Sequence, residues 1–454
     1  MDYAGDEMMW TSNDTLTSLP PRVMRLNRPE ALAAPIQRAT ADFARAQVIN
    51  SARNAASLRP FRDNEFGDAP GRPSSAHIAA ANSLIAELRN RLFGILERLS
   101  QSAEMGIEAG NAPKWLNVLL SEREHAERGI KLIEKIWAFY LELFGQRQSR
   151  FASMLLAADR IALDAYQTVY VGLPIPRSIP SPGAFSYMET GFTPATFRRG
   201  IRLSRIGKAF NPFPIVSLPY HRLVNPWTLG AVPHEVSHNL QSDLGLWEIV
   251  PQRIVKALRE DGIDERTAAT WARWHKEIWA DLSGLLLSGP AVVASLFDVV
   301  ARSPGLTTAF NPAAVHPTSY LRVLINLELL RRMDFGREAA VFARLWERLY
   351  PNPAAGGIPK AMLTSFSRAA SLVVETICFA PYAQLGGKGL ADIVRFRPEH
   401  YQMTIEAAGR LALGRDPGIM PARFLIGAAR FAFDRRLASP DVIARHFYRA
   451  LSQR

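Results

Sequence analysis

Apolar residues recur at three- and four-residue steps through most of this chain, and that period constrains its fold more than any other feature. It runs unbroken for many turns in "SLIAELRNRLFGILERLSQS" and "WLNVLLSEREHAERGIKLIEKIWAFYLELFGQ", and it resumes from Pro226 nearly to the C-terminus. Between Val169 and Asn225 the pattern breaks. Prolines and glycines crowd "VGLPIPRSIPSPGAF" and "FNPFPIVSLPYHRLVNP", with "TVYVGL" and "PIVSLPY" as short extended candidates. The expectation is a mainly α protein with a short β segment set in a multi-helix body. Its expected divisions are a partly irregular arm and linker over 1–72, a helical domain over 73–168, a functional core over 169–335 and a helical region over 336–454. The arm carries one expected helix near Pro29–Ala55, and "LRPFRDNEFGDAPGRPSS" reads as the linker.

Composition narrows the function classes. Hydrophobic residues make up 48% and charged residues 21% of 454, as in ordinary globular proteins. A net charge of +12 raises the question of nucleic acid. The arginines, however, are interspersed with glutamates and form no block of about five like charges, so a mixed basic surface is expected and no specific nucleic-acid partner. The single cysteine, Cys378, excludes an intrachain disulfide and any cysteine-based zinc site, and its apolar surroundings in "SLVVETICFAPY" suit an inert buried thiol. The N-terminal "MDYAGDEMMWTSNDTLTSLPP" has neither a basic nor an apolar leader region. The longest uncharged run, Leu282–Phe297, is short for a bilayer and contains Pro290. No membrane span and a cytoplasmic location are therefore expected.

One short stretch carries chemistry. In "AVPHEVSHNLQSDLG", His234 and His238 are four apart, so on a helix both imidazoles project from one face and can grip one ion. Glu235 sits about 100° around from His234, near enough to act on water without being a ligand. Asn225 and Pro226 are a possible start for this helix; Pro233 is another, because proline is tolerated in a first turn. Gly245 is a stop signal. Downstream, "WARWHKEIWADLSGLLLSGP" offers Glu277 as a third ligand. Asp281, one turn on, can accept the ring N–H of a ligating histidine. Gly284 would let the two helices approach.

These residues resemble a family. His-Glu-x-x-His followed by Glu-x-x-Ala-Asp is similar to the gluzincin clan of zinc metallopeptidases, and "EIWAD" is closest to its CAAX-prenyl-protease and HtpX-like branch. Upstream, "PIVSLPYH" resembles the branch's extended Leu-Pro segment. Downstream, His316, Pro317 and Arg322 in "AAVHPTSYLRVLINLELL" resemble its His-Pro-x-x-x-x-Arg element. The likeness covers about residues 213–330 and implies a zincin-like core. That branch carries membrane helices around its core, and this setting is not expected to transfer.

What the resemblance implies is a Zn2+ ion held by His234, His238 and Glu277, with Asp281 orienting a ligand and Glu235 as general base. His316, Tyr320 and Arg322 are candidates to stabilise an oxyanion, His316 first among them. An extended peptide or protein substrate is expected to pair with an edge strand near Ile215–Leu218. Hydrolysis of a non-peptide amide, or an inactive basic scaffold, are the alternatives. Other features read as structural. His221 and His275 lack ligand spacing, and Trp271, Trp274 and Trp279 suit a core. Glu122 and His125 form a Glu-x-x-His step without a second copy, and "QLGGKGLADI" lacks Walker spacing.

Overall fold

The computed structural model describes residues 35–108 and 113–453. It is mainly helical, as the periodicity predicts, and divides into two compact units.

The first unit takes the described residues up to Asp68, Arg72–Gly145 and Arg202–Phe210. Its helices are α1 (Pro35–Ser57), α2 (Ser75–Glu108) and α3 (Pro113–Gly145). Along α2 the buried apolar residues are Ile78, Ala81, Ile85, Leu92, Leu96, Leu99 and Ala103, a seam with the three- and four-residue spacing of a helical hairpin, its one gap filled by buried Arg89. Arg98 pairs with Glu122 and Leu92 faces Gly129, so α3 runs back along α2. The stretch expected to be a linker is instead fastened down. The Asn82 side chain bonds both the N–H and the C=O of Phe61. Buried Arg89 donates to the carbonyls of Ala55 and Leu58, satisfying the C-terminal end of α1. Residues 1–34, which include the start of the expected helix at Pro29, lie outside the described residues. A two-residue ladder, β3 (Arg202–Leu203) with β4 (Ala209–Phe210), closes through Gly207. That glycine has φ 65°, and a Cβ there would meet Leu132 of α3 at 2.0 Å, so only glycine fits.

The second unit takes Ala69–Gly71, Gln146–Ile201 and Asn211–Arg454. The helix α4 (Ala152–Gly172) lies here, not with the first unit as expected, and "TVYVGL" forms its last turns and the residue after, not a strand. Residues after 335 share one continuous core with those before, so no boundary falls there. A three-stranded sheet follows in the order β1 (Phe185–Glu189), β5 (Ile215–Pro219), β2 (Ala195–Phe197). β5 pairs parallel with β1, starting at Phe185 opposite Ile215, and antiparallel with β2. The segment expected to offer an edge, Ile215–Leu218, is therefore the centre of the sheet, flanked on both sides. The outer edge of β1 is also taken. Gln146 bonds both the N–H and the C=O of Met188, while Arg147 and its ion-pair partner Asp159 bond the C=O and N–H of Ser186. The accessible edge is β2.

After a short helix α5 (Tyr220–Val224) and a 3-10 turn at Pro226–Thr228 comes α6 (Ala231–Asp243). Asn225 and Pro226 open the separate turn, and Pro233 falls in the first turn of α6, where its missing N–H has no partner to lose. Ser237 bonds back to the Pro233 carbonyl at 2.7 Å. α7 (Ile249–Glu260) leads to α8 (Glu265–Ser288), capped by Asp264 through the Thr267 N–H. Every residue of α8 from Ile278 to Ser288 is buried, which marks it as the central helix. Trp271, Trp274 and Trp279 are core residues on it, as expected, and the Trp279 indole reaches the Ser237 carbonyl at 3.0 Å.

The remaining helices are α9 (Ala291–Val300), α10 (Pro304–Thr307), α11 (Ser319–Arg332), α12 (Gly336–Leu349), α13 (Lys360–Val374), α14 (Leu390–Ile393), α15 (Pro398–Ala412), α16 (Phe424–Asp434) and α17 (Pro440–Ser452). Cys378 is buried in a π-helical turn after α13, and burial pushes its thiol pKa far up. Gly386–Gly389 forms a loop between helical elements. One stretch, Lys360–Phe379, has the length and hydropathy of a membrane span. Its window is 44% buried, and the stretch carries Arg368 and Glu375, paired with Asp261 and Arg332.

Candidate metal centre

α6 crosses α8 at Gly284, as the sequence predicts. A Cβ there would sit 3.4 Å from the His234 amide, just in van der Waals contact. A second, unforeseen close approach lies at Gly230, just before α6, where an added Cβ would fall 2.5 Å from the Ser295 hydroxyl and 3.3 Å from the Val292 Cα on α9. Gly230→Ala should therefore cost about 2 kcal/mol by overpacking, and Ser295→Gly in the same chain should recover most of it. Urea unfolding of the single and double variants checks this. Additive costs would mean the two residues do not meet.

This packing turns one face of α6 to one face of α8. The Nε2 of His234 lies 3.5 Å from one Glu277 carboxylate oxygen, and that of His238 lies 3.6 Å from the other. One donor atom from each of the three residues lies within 4.8 Å of the others, with the two imidazoles perpendicular. Among the described residues this group alone can hold a metal ion. Behind it, Asp281 accepts from Arg322 at 2.6 and 2.9 Å and from Asn326 at 3.2 Å, and meets His234 Nδ1 at 2.8 Å. That contact directs His234 Nε2 toward Glu277 and fixes its tautomer.

The electrostatics suit a cation. Burial works against a proton on His234, yet the hydrogen bonds its ring donates to Asp281 and Glu277 raise its pKa to about 10. Burial and the neighbouring His234 charge lower His238 to about 3. Glu277 is held well below the carboxylate range, against its burial, by His234 and Arg322. The same carboxylate and imidazole groups that favour a proton here could hold a metal cation in its place. Two nitrogens and one oxygen, converging beside a cavity, fit the three-ligand set of an open zinc site.

The cavity, about 480 Å³, runs past these ligands. Glu235 lines it. Its side chain is buried, accepts no hydrogen bond among the described residues, and has its pKa raised to about 7, mainly by burial and partly by Glu277. His316 comes from the loop before α11 and reaches Glu277 at 3.4 Å while staying largely exposed. Arg322 borders the cavity too; its Nε and one Nη donate to Asp281, and that Nη also meets Glu277 at 3.2 Å, while its second Nη makes no hydrogen bond among the described residues. Tyr320 is not brought to the site. Its ring packs against Trp346. His221 and His275 stay outside the ligand group, and Glu122 pairs with Arg98 on a helix surface.

Sequence reasoning missed Asn326, one turn after Arg322 on the same helix face, a spacing that was there to be read. It also missed Arg198, Trp247, Lys276 and the α9 residues Val292, Leu296 and Val299 in the cavity wall, which no local pattern marks. No protein-family model, curated protein or solved structure matches the chain.

Proposed function

We propose that the chain is a zinc-dependent peptidase of gluzincin type. The observation that supports it is the convergence of His234, His238 and Glu277 beside a cavity whose wall holds the unpartnered carboxylate of Glu235.

His234, His238 and Glu277 would hold the ion. Bound there, zinc supplies Lewis acidity, polarising a carbonyl and making water a stronger acid. Glu235 would take a proton and return it to the departing amine, a role that its burial, which favours the protonated form, supports. His316, largely exposed beside Glu277, would donate to a developing oxyanion, with Arg322 as the second candidate. Asp281, Arg322 and Asn326 orient His234. The edge strand β2, whose Ala195 and Thr196 line the cavity, offers main-chain partners to an extended peptide, and such pairing reads backbone more than side chain.

The test is metal content followed by cleavage. The purified chain should carry about one zinc per molecule. His238→Ala should lose most of it with the fold intact by circular dichroism. The loaded chain should cleave unstructured proteins, and a chelator should stop it. A wild-type chain that takes up no zinc after reconstitution overturns the reading, and a zinc-loaded chain that cuts no peptide overturns the choice of substrate.

A further inference from the structure

One end of the cavity carries a charge arrangement that the metal chemistry does not use. The cavity follows α6, as its contacts show. At the N-terminal end, Gly230 abuts Ser295 and Val292; at the C-terminal end, Arg198 donates to Ser242 at 3.1 Å. The wall near the first end is apolar, with Ala231, Val292, Leu296 and Val299. Near the other end stands Trp247, with the Arg198 guanidinium 3.5 Å from its ring centre and the Lys276 ammonium 4.7 Å from it. The indole face holds both cations where they are.

Neither cation has a counter-charge in contact. Among the described residues no carboxylate comes within 4.0 Å of Arg198 or Lys276, and the Lys276 side chain makes no hydrogen bond. Asp243 and Glu248 act on Arg198 through space only. Asp243 is occupied by the Tyr166 hydroxyl at 3.0 Å, and Glu248 is exposed. Part of Arg198's placement has a structural cause, since a cation complements a helix C-terminus. Lys276 has no such cause. It projects from α8 next to Glu277, half-buried, into the same cavity. Two like charges beside one ring repel each other, and an anion between or beside them would relieve that.

We infer that Arg198 and Lys276, steadied by Trp247, form a carboxylate-binding subsite, so that the favoured substrate carries an acidic group at one end of the cavity and an apolar side chain at the other. The inference rests on the peptidase reading for the word substrate, but the subsite binds with or without turnover. A carboxylate reaches it from an Asp or Glu side chain or from a free peptide C-terminus.

The experiment uses the full chain carrying Glu235→Gln, reconstituted with zinc, and fluorescein-labelled peptides with one Leu followed two to four residues later by Glu or by Gln. Each peptide is made with a free and with an amidated C-terminus. Fluorescence anisotropy should show the Glu peptides, or the free-acid peptides, binding about tenfold tighter than their neutral counterparts, as expected for a charge-assisted contact in a half-buried site. Lys276→Met should remove most of that preference, and Lys276→Glu should reverse it, so that the Gln peptides bind tighter than the Glu peptides. Lys276 has no hydrogen bond or ion pair to lose, so these variants should fold; Arg198→Met is the companion variant. A preference for the side-chain acid assigns an internal acidic residue, and one for the free terminus assigns a C-terminal carboxylate. Equal binding of acidic and neutral peptides, no binding of either, or a preference that survives both substitutions overturns the inference. Cleavage by the wild-type chain is scored separately. Cutting without acidic preference sinks this subsite alone, and acidic binding without cutting sinks the peptidase reading alone.

Discussion

Glu235→Gln should leave the chain folded and zinc-loaded while lowering peptide hydrolysis by about a thousandfold, within the range for loss of a positioned general base. Glutamine keeps the shape of the side chain, and the carboxylate accepts no hydrogen bond among the described residues, so the substitution breaks no contact. What it removes is the capacity to take up a proton at a point bordering the ligand group. Burial has already tuned that capacity, because a carboxylate facing a partly closed cavity gives up solvation it would have in water. The two halves of the result are measured together: zinc by elemental analysis on the same sample whose cleavage rate is followed. A variant that retains zinc and keeps more than about a tenth of wild-type activity would remove Glu235 from the chemistry.

Asp281→Ala should be the most destabilising single change at the site, at about 3–5 kcal/mol. Asp281 is 3% exposed and holds the Arg322 guanidinium in two hydrogen bonds. Removing it leaves a buried cation with only the more distant Glu277 oxygen, 3.2 Å from one nitrogen. It also frees His234 to turn, so zinc affinity should fall 10- to 100-fold even in molecules that remain folded. Arg322→Met with Asp281→Leu should recover stability without recovering affinity, since an apolar pair of similar volume packs where the ion pair stood. Urea denaturation and competitive zinc titration separate the two effects. If Asp281→Ala unfolds at the wild-type urea concentration, the buried ion pair does not hold the fold as argued.

The helical character and the ligand cluster were both legible in the sequence for the same reason: each is a matter of spacing along one helix. His234 and His238 at four apart, and Glu277 and Asp281 at four apart, fix two faces without any knowledge of the rest. Gly284 even marked where those faces meet. Strand order was not legible. "PIVSLP" is apolar on both sides because β5 is covered on both sides, and an apolar run does not say whether it is central or at an edge. "TVYVGL" has β-branched and aromatic residues, but Val169 and Tyr170 are buried in the core, and that burial prevails over local preference. Tyr320 was a different kind of miss. It stands two positions from Arg322, about 200° around the same helix, so both could not face one site. The fastening of the linker was not legible, because it comes from Asn82 and Arg89, side chains on the next helix that a reading for prolines and glycines passes over.

Glu277 stands just before, and Asp281 within, the wholly buried stretch Ile278–Ser288 of α8. Backbone breathing is rarest in such a segment, since exposing it means dismantling the interior around it. Glu277, the one acid in the group that could hold an ion, and Asp281 behind it thus behave as a fixed anvil, and any ion would arrive and depart by way of the open hollow. Residues that slow or speed that traffic will be found in the hollow's walls, not among the ligands.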